Sequence, residues 1–180
     1  MLQITVPRQE KWDEVKEEFI YTEECTLQLE HSLISLSKWE AKWHKPFMSK
    51  VPKTLEETID YIKCMTITPR VDPEVYNNLT RQNVEDINAY IENPMTATFF
   101  SKEANGKPSR EQVTNELIYY WMIALNIPSE YEKWHLNRLL TLIKVCEVKN
   151  KPPKKMSKKQ LASRNAAINA ARRQQLNTTG

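Results

Sequence analysis

The chain has 180 residues, of which 40% are hydrophobic, and this is enough apolar material for one domain with a packed core. It contains only two glycines, so it lacks most of the positive-φ positions that phosphate-binding loops and tight hairpins usually need. The composition therefore disfavours Rossmann and P-loop architectures, and three widely spaced cysteines disfavour a disulfide framework.

The formal net charge of +3 is unevenly distributed along the chain. Residues 151–180 contain eight Lys/Arg and no Asp or Glu, so residues 1–150 carry a net charge of −5. This asymmetry predicts a helical body, residues 1–150, followed by a basic tail, residues 151–180. We expect no secretory leader, because the first residues have neither a basic segment nor an apolar run. No stretch approaches the roughly 20 apolar residues that a membrane-spanning helix needs.

The body begins with a predicted β-ribbon. Leu2, Ile4 and Val6 alternate with polar residues, which is typical of a strand, and a second short strand is predicted near residues 19–30. Two strands alone are marginally stable, so we expect the ribbon to pack against helices.

Four helices are predicted between residues 32 and 94, and together they make the expected fold mainly α. Their signals are an apolar face, a capping box, a proline at the first helical position and a second apolar face. Leu36, Trp39 and Trp43 form the first apolar face, and Thr54 with Glu57 forms the capping box. Asp72 precedes the proline, which is Pro73, and Val84, Ile87 and Ile91 form the second apolar face.

Two longer helices are predicted near 109–126 and 129–148, each opened by a proline and a capping box. The connection between them is so short that we expect an antiparallel hairpin within the core. In the first of them, the predicted core-facing stripe includes Leu117, Tyr120 and Trp121.

The basic tail contains a Lys/Pro linker and then a helix-favouring segment, residues 158–173, which starts at a capping box of Ser157 with Gln160. Its apolar face is narrow, so we predict a flexible tail that fluctuates alone and folds along a partner. The predicted partner-binding residues are the cations Lys154, Lys155, Lys158, Lys159, Arg164, Arg172 and Arg173.

The motifs that would indicate catalysis or metal binding are missing from the sequence. No Cys or His pair has the close spacing of a metal site, and no glycine-flanked serine marks a nucleophile elbow. His135 lies on an apolar helix face, which is more typical of a core histidine. Capping and a solvated helix face explain Glu56, Glu57 and Asp60. We therefore predict a protein that is not an enzyme and has no cofactor.

Five stretches of the sequence carry a family resemblance: TLQLEHSLISLSKWE at 26–40, PMTAT at 94–98, YWMIALNIP at 120–128, KWHLNRLL at 133–140 and NAARR at 169–173. They resemble small proteins of tailed-bacteriophage tail-morphogenesis modules, of the tail assembly chaperone type. The resemblance implies that the chain binds the phage tape measure protein in the host cytoplasm before the tail tube polymerises. It also implies that the chain is absent from the finished virion.

Two alternative functions stay open at this point. The protein could be a structural tail or connector subunit of the virion, or a nucleic-acid-binding accessory protein that acts through its basic tail. The tail has no aromatic residue to stack on a base, and the body is acidic, so nucleic acid is the less favoured partner. The Trp, Tyr and Met residues of the body suit adaptable contacts with a protein.

Overall fold

The computed structural model describes residues 1–14, 17–100, 112–151 and 157–176, and the chain is mainly α-helical, as the sequence predicts. Backbone contacts divide it into two units, Met1–Glu147 and Val148–Gly180. The described helices are α1 (Leu33–Trp43), α2 (Leu55–Met65), α3 (Arg81–Glu92), α4 (Asn115–Ala124), α5 (Leu136–Asn150) and α6 (Lys158–Leu176), with short 3-10 helices at Pro73–Asn78 and Ser129–Lys133.

The N-terminal ribbon contains four strands: β1 (Leu2–Val6), β2 (Gln9–Asp13), β3 (Glu18–Thr22) and β4 (Cys25–Leu29). The outer strands β1 and β4 pair antiparallel, and β2 pairs antiparallel with β3. The predicted ribbon is thus confirmed, but the single strand expected near 19–30 is two strands, and β2 was not predicted. Its sequence, QEKWD, has one apolar residue, so hydrophobic alternation could not indicate it.

The β1–β4 ladder belongs to the first of two core clusters. Ile4, Val6, Leu27 and Leu29 are buried there with apolar residues of α2 and α3. The chain that leaves α2 runs beside β4, where the Ile67 amide donates to the Gln28 carbonyl at 2.8 Å. This pairing covers an edge of a ladder that has only two strands.

Helix α1 lies between the two core clusters. Trp39 belongs to the first cluster, whereas Leu33 and Leu36 pack in the second with buried residues of α4 and α5. The buried side chains that α4, α5 and the segment between them contribute to this cluster are Ile118, Met122, Ile127, Leu136, Leu139 and Ile143. Helix α1 therefore contacts both the α2–α3 pair and the α4–α5 pair and positions each of them.

Polar contacts join α1 to α2. The predicted capping box is confirmed: the Glu57 amide donates to Thr54 Oγ1 at 3.2 Å, and the Thr54 amide donates to Glu57 Oε2 at 2.8 Å. The expectation of a solvated face is wrong for Glu57 and Asp60, because both are buried. Asp60 pairs with Lys42, and Glu57 Oε1 lies 2.5 Å from Lys45 Nζ. The Lys45 hydrogen bond is the main cause that lowers the pKa of the Glu57 carboxyl.

The two long helices of the prediction are wrong in their boundaries. Residues 109–111 lie outside the described chain, residues 112–114 are not helical, and α4 begins at Asn115. The segment after Pro128 forms a 3-10 helix, and the backbone is extended at Trp134 before α5 begins. There the Leu136 amide donates to the His31 carbonyl at 2.7 Å, so contact with a distant segment interrupts the helix. The backbone of α4 packs most closely against α1, which takes the place predicted for α5.

The second unit contains α6. The predicted capping box is confirmed, since the Gln160 amide donates to Ser157 Oγ and the Ser157 amide donates to Gln160 Oε1. The helix is longer than the predicted segment, and its residues are exposed throughout. That the tail fluctuates and folds on a partner stays a prediction.

Candidate partner-binding surfaces

The predicted basic site is spread along α6. Lys158 and Lys159 lie in its first turn, and Arg172 and Arg173 lie near its end, about 20 Å away at 1.5 Å per residue. Arg164 lies between the two pairs, while Lys154 and Lys155 fall outside the described residues. The helix therefore distributes its charge over its length and does not concentrate it in one patch.

One face of α6 combines apolar and cationic side chains. At 100° per residue, Leu161 and Ile168 fall within about 20° of each other, and Arg172 falls on the same side. Both apolar side chains are exposed. This face can bind a partner that offers apolar contacts beside carboxylates.

Helix α4 presents an exposed apolar face that includes Leu117, Tyr120 and Trp121, which sequence analysis placed in the core. Tyr120 is 62% exposed and Ile123 is 76% exposed, and Leu117 and Trp121 are half-buried beside them. The buried positions are instead Ile118 and Met122. Apart from its first two residues, α4 has only apolar and aromatic side chains, so periodicity could not define which face is buried.

A buried carboxylate sets the orientation of α4. Thr114, its N-cap, makes no side-chain capping bond. Glu40 Oε2 accepts the Asn115 amide and the Asn115 side-chain Nδ2, both at 2.7 Å, and Glu40 Oε1 accepts the Phe47 amide at 2.7 Å. A negative charge at a helix N-terminus is stabilising. Glu40 of α1 therefore fixes the start of α4 and, with it, the direction of its exposed face.

The pairing of β2 with β3 brings together a second exposed apolar group, which sequence analysis missed. Trp12 lies opposite Phe19 in the register, and their rings meet edge to face with centroids 4.9 Å apart. Tyr21 lies on the same face, 6.4 Å from Phe19. The signal available in the sequence was three aromatic residues within ten positions of a segment rich in acidic residues.

The titratable side chains at the centre of the first unit form a packed cluster and not an open site. His31 Nδ1 and the Tyr61 hydroxyl are joined by a hydrogen bond of 2.6 Å, and the His31 and His135 rings lie 5.1 Å apart. Burial, with a contribution from His135, lowers the pKa of His31 to about 3, and burial also lowers the pKa of His135. His135 is a core histidine, as predicted, but it is only partly satisfied: Nε2 bonds the Tyr90 carbonyl at 3.0 Å, and Nδ1 has no partner.

Comparison with known proteins assigns no family. The chain matches no protein-family model, no curated protein and no solved structure. Within the described residues, no group of His, Cys, Asp and Glu side chains could hold a metal ion. In the same part of the chain, every helix is too short or too polar to cross a membrane.

Proposed function

We propose that this protein is a non-enzymatic tail assembly chaperone of a tailed bacteriophage, which binds the tape measure protein before the tail tube polymerises. The observation that carries the proposal is the exposed apolar face of α4. A contiguous apolar helix face on a folded protein is typical of a protein-binding surface. The resemblance to tail assembly chaperones supplies the identity of the client.

The proposed mechanism is shielding by helix contact. Leu117, Tyr120, Trp121 and Ala124 have the i, i+3, i+4, i+7 spacing with which one helix packs against another. A long helical client has an apolar stripe of the same kind, which aggregates when it is left uncovered. Binding to α4 covers part of that stripe until the tube subunits replace the chaperone. The cations of α6 attract acidic segments of the client, and this attraction weakens as salt rises.

The test is co-expression with the tape measure protein of the same tail module. The wild-type chain should keep the client soluble and co-purify with it. The variant Tyr120→Ser with Ile123→Ser should lose most of this activity, because both side chains are exposed and the core beneath them is unchanged. The matched control is Val51→Ser with Leu55→Ser, which removes two comparably exposed apolar side chains elsewhere.

An insoluble client that never co-purifies with the wild-type chain would reject the chaperone proposal. Equal solubility with the α4 variant would reject α4 as the contact surface. A third arm replaces Lys158, Lys159, Arg172 and Arg173 with Gln. If client solubility is unchanged, the helical tail has no part in recognition.

A structural tail or connector subunit would also bind tail proteins, but it would stay in the virion. Mass spectrometry of purified particles separates the two functions, since a chaperone of the host cytoplasm is missing and a structural subunit is stoichiometric. The exposed cations of α6 favour nucleic acid as a second class of partner. In that case binding to DNA falls steeply as salt rises and is lost in the Gln variant.

A further inference from the structure

The β2–β3 ribbon has two different faces. On one face, Gln9 Nε2 donates to the Asn78 carbonyl at 3.3 Å, and Asn78 Nδ2 donates to Thr22 Oγ1 at 2.7 Å, so this face is anchored to the 3-10 helix Pro73–Asn78. The paired residues Gln9 and Thr22 alternate with the aromatic positions along the strands. Trp12, Phe19 and Tyr21 therefore occupy the face directed away from that anchor.

The aromatic face is accessible and organised. Its three rings are between 48% and 54% exposed, although aromatic side chains of this size are usually well buried in a folded protein. The edge-to-face contact between Trp12 and Phe19 holds the rings together as one surface.

The segment of the sequence that carries this face is strongly acidic. Residues 8–24 contain seven Asp/Glu and three Lys/Arg, a net charge of −4, whereas residues 1–150 together have −5. Most of the excess negative charge of the body is thus carried by this stretch of 17 residues. The exposed carboxylates among them are Glu10, Glu14, Glu17, Glu23 and Glu24.

The ribbon already binds one cation of its own chain. The guanidinium of Arg8 lies over the Tyr21 ring, 5.2 Å from the centroid, and 3.9 Å from a carboxylate oxygen of Glu10. A cation between an aromatic ring and a carboxylate is the contact that a Lys or Arg of a partner would make with the neighbouring rings.

We infer that the aromatic face of the β2–β3 ribbon is a second docking surface, which binds a basic amphipathic protein segment. The apolar side chains of that segment pack on the rings, and its flanking Lys or Arg side chains pair with the carboxylates. Charge complementarity selects this occupant. Nucleic acid and acidic segments are repelled by the −4 ribbon, and two ribbons from separate copies would repel each other. This surface is independent of the contact proposed for α4.

The probe is a dye-labelled helical peptide of 14 leucines and lysines in an amphipathic pattern, with a Leu/Glu peptide of equal length for comparison. Fluorescence anisotropy measures binding of each peptide to the full chain. Trp12→Ser with Phe19→Ser should weaken binding of the Leu/Lys peptide by about tenfold or more, because a few aromatic side chains dominate such contacts. Circular dichroism checks that the variant is folded.

A second pair of substitutions keeps the rings and changes only the charge. Glu14→Lys with Glu24→Lys should also weaken Leu/Lys binding. The matched control, Glu92→Lys with Glu130→Lys, makes the same change of net charge at exposed sites on other elements and should leave binding unchanged. Binding of the Leu/Glu peptide, which reports on the basic tail, should be weakened by neither ribbon change.

Three results would overturn the inference. The first is that the Leu/Lys peptide does not bind to the wild-type chain. The second is that it binds both ribbon variants as tightly as the wild-type chain. The third is that its binding is lost with Tyr120→Ser and Ile123→Ser while the ribbon variants retain it, which moves the site to α4. None of these results bears on client solubility in co-expression, so failure of the ribbon site and failure of the chaperone proposal can be told apart.

Discussion

Replacing Trp39 with alanine removes the largest fully buried side chain of the first core cluster. The ring is 1% exposed, and its Nε1 donates to the Glu57 carbonyl at 2.8 Å. It also meets Phe47 edge to face, with centroids 5.2 Å apart. Loss of a buried Trp side chain lowers the free energy of unfolding by about 3–5 kcal/mol, and loss of the hydrogen bond adds about 1 kcal/mol. We therefore expect Trp39→Ala to lie near the upper end of the range of about 3–5 kcal/mol.

Urea unfolding of the full chain, followed by far-UV circular dichroism, measures this loss. Trp121→Ala is the matched control, because Trp121 belongs to the second cluster but is only half-buried. Removal of a half-buried Trp should cost about 1–2 kcal/mol, since its transfer term is about half as large and its cavity opens to solvent. Equal losses for the two variants, or a loss for Trp39→Ala below that of Trp121→Ala, would refute the packing of α1 between the clusters.

Three further predictions concern other contacts of the fold. The pKa of His31 is lowered to about 3, so the folded state holds this ring neutral. The unfolded chain takes up a proton on this ring near pH 6.5, so the free energy of unfolding should fall by up to about 1.4 kcal/mol per pH unit as the pH decreases below about 6.5. His31→Gln should flatten that slope in urea melts from pH 7 to 5. Glu40→Gln should lower the free energy of unfolding by about 1.5–3 kcal/mol, because one amide oxygen cannot replace two carboxylate oxygens that accept bonds from Asn115 and Phe47. An unchanged melt would contradict this. A chain ending at Asn150 should melt within about 2 °C of the full chain, because α6 buries none of its side chains; a large drop would show that residues after Asn150 contribute to folding.

Sequence patterns were sufficient wherever a local signal and the tertiary environment agreed. The Thr54 capping box, the helix start at Asp72–Pro73 and the Ser157 capping box all appear where they were predicted, because their hydrogen bonds close within three residues. The short helix that follows Asp72 is a 3-10 helix. The apolar face of α1 was also predicted correctly, since Leu36 and Trp39 are fully buried.

Long-range contacts decided what local signals could not. The Pro128–Ser129 signal opens a 3-10 helix and not the α-helix that was predicted, because α5 instead begins where the Leu136 amide meets the His31 carbonyl. The Glu40 carboxylate, 75 residues away from Asn115, replaces the side-chain cap of α4. Neither partner can be identified from the residues near the helix start.

By itself, the sequence determined the mainly helical class, the ribbon near the N-terminus and the basic helix that follows the body, because composition, capping and charge are local properties. Only the tertiary structure decided which faces remain exposed. Tyr120 and Ile123 lie outward because α1 packs on the opposite side of an apolar helix, and Trp12 meets Phe19 because strand register pairs residues that are separate in sequence. Both candidate surfaces follow from packing partners, and packing partners are a property of the fold.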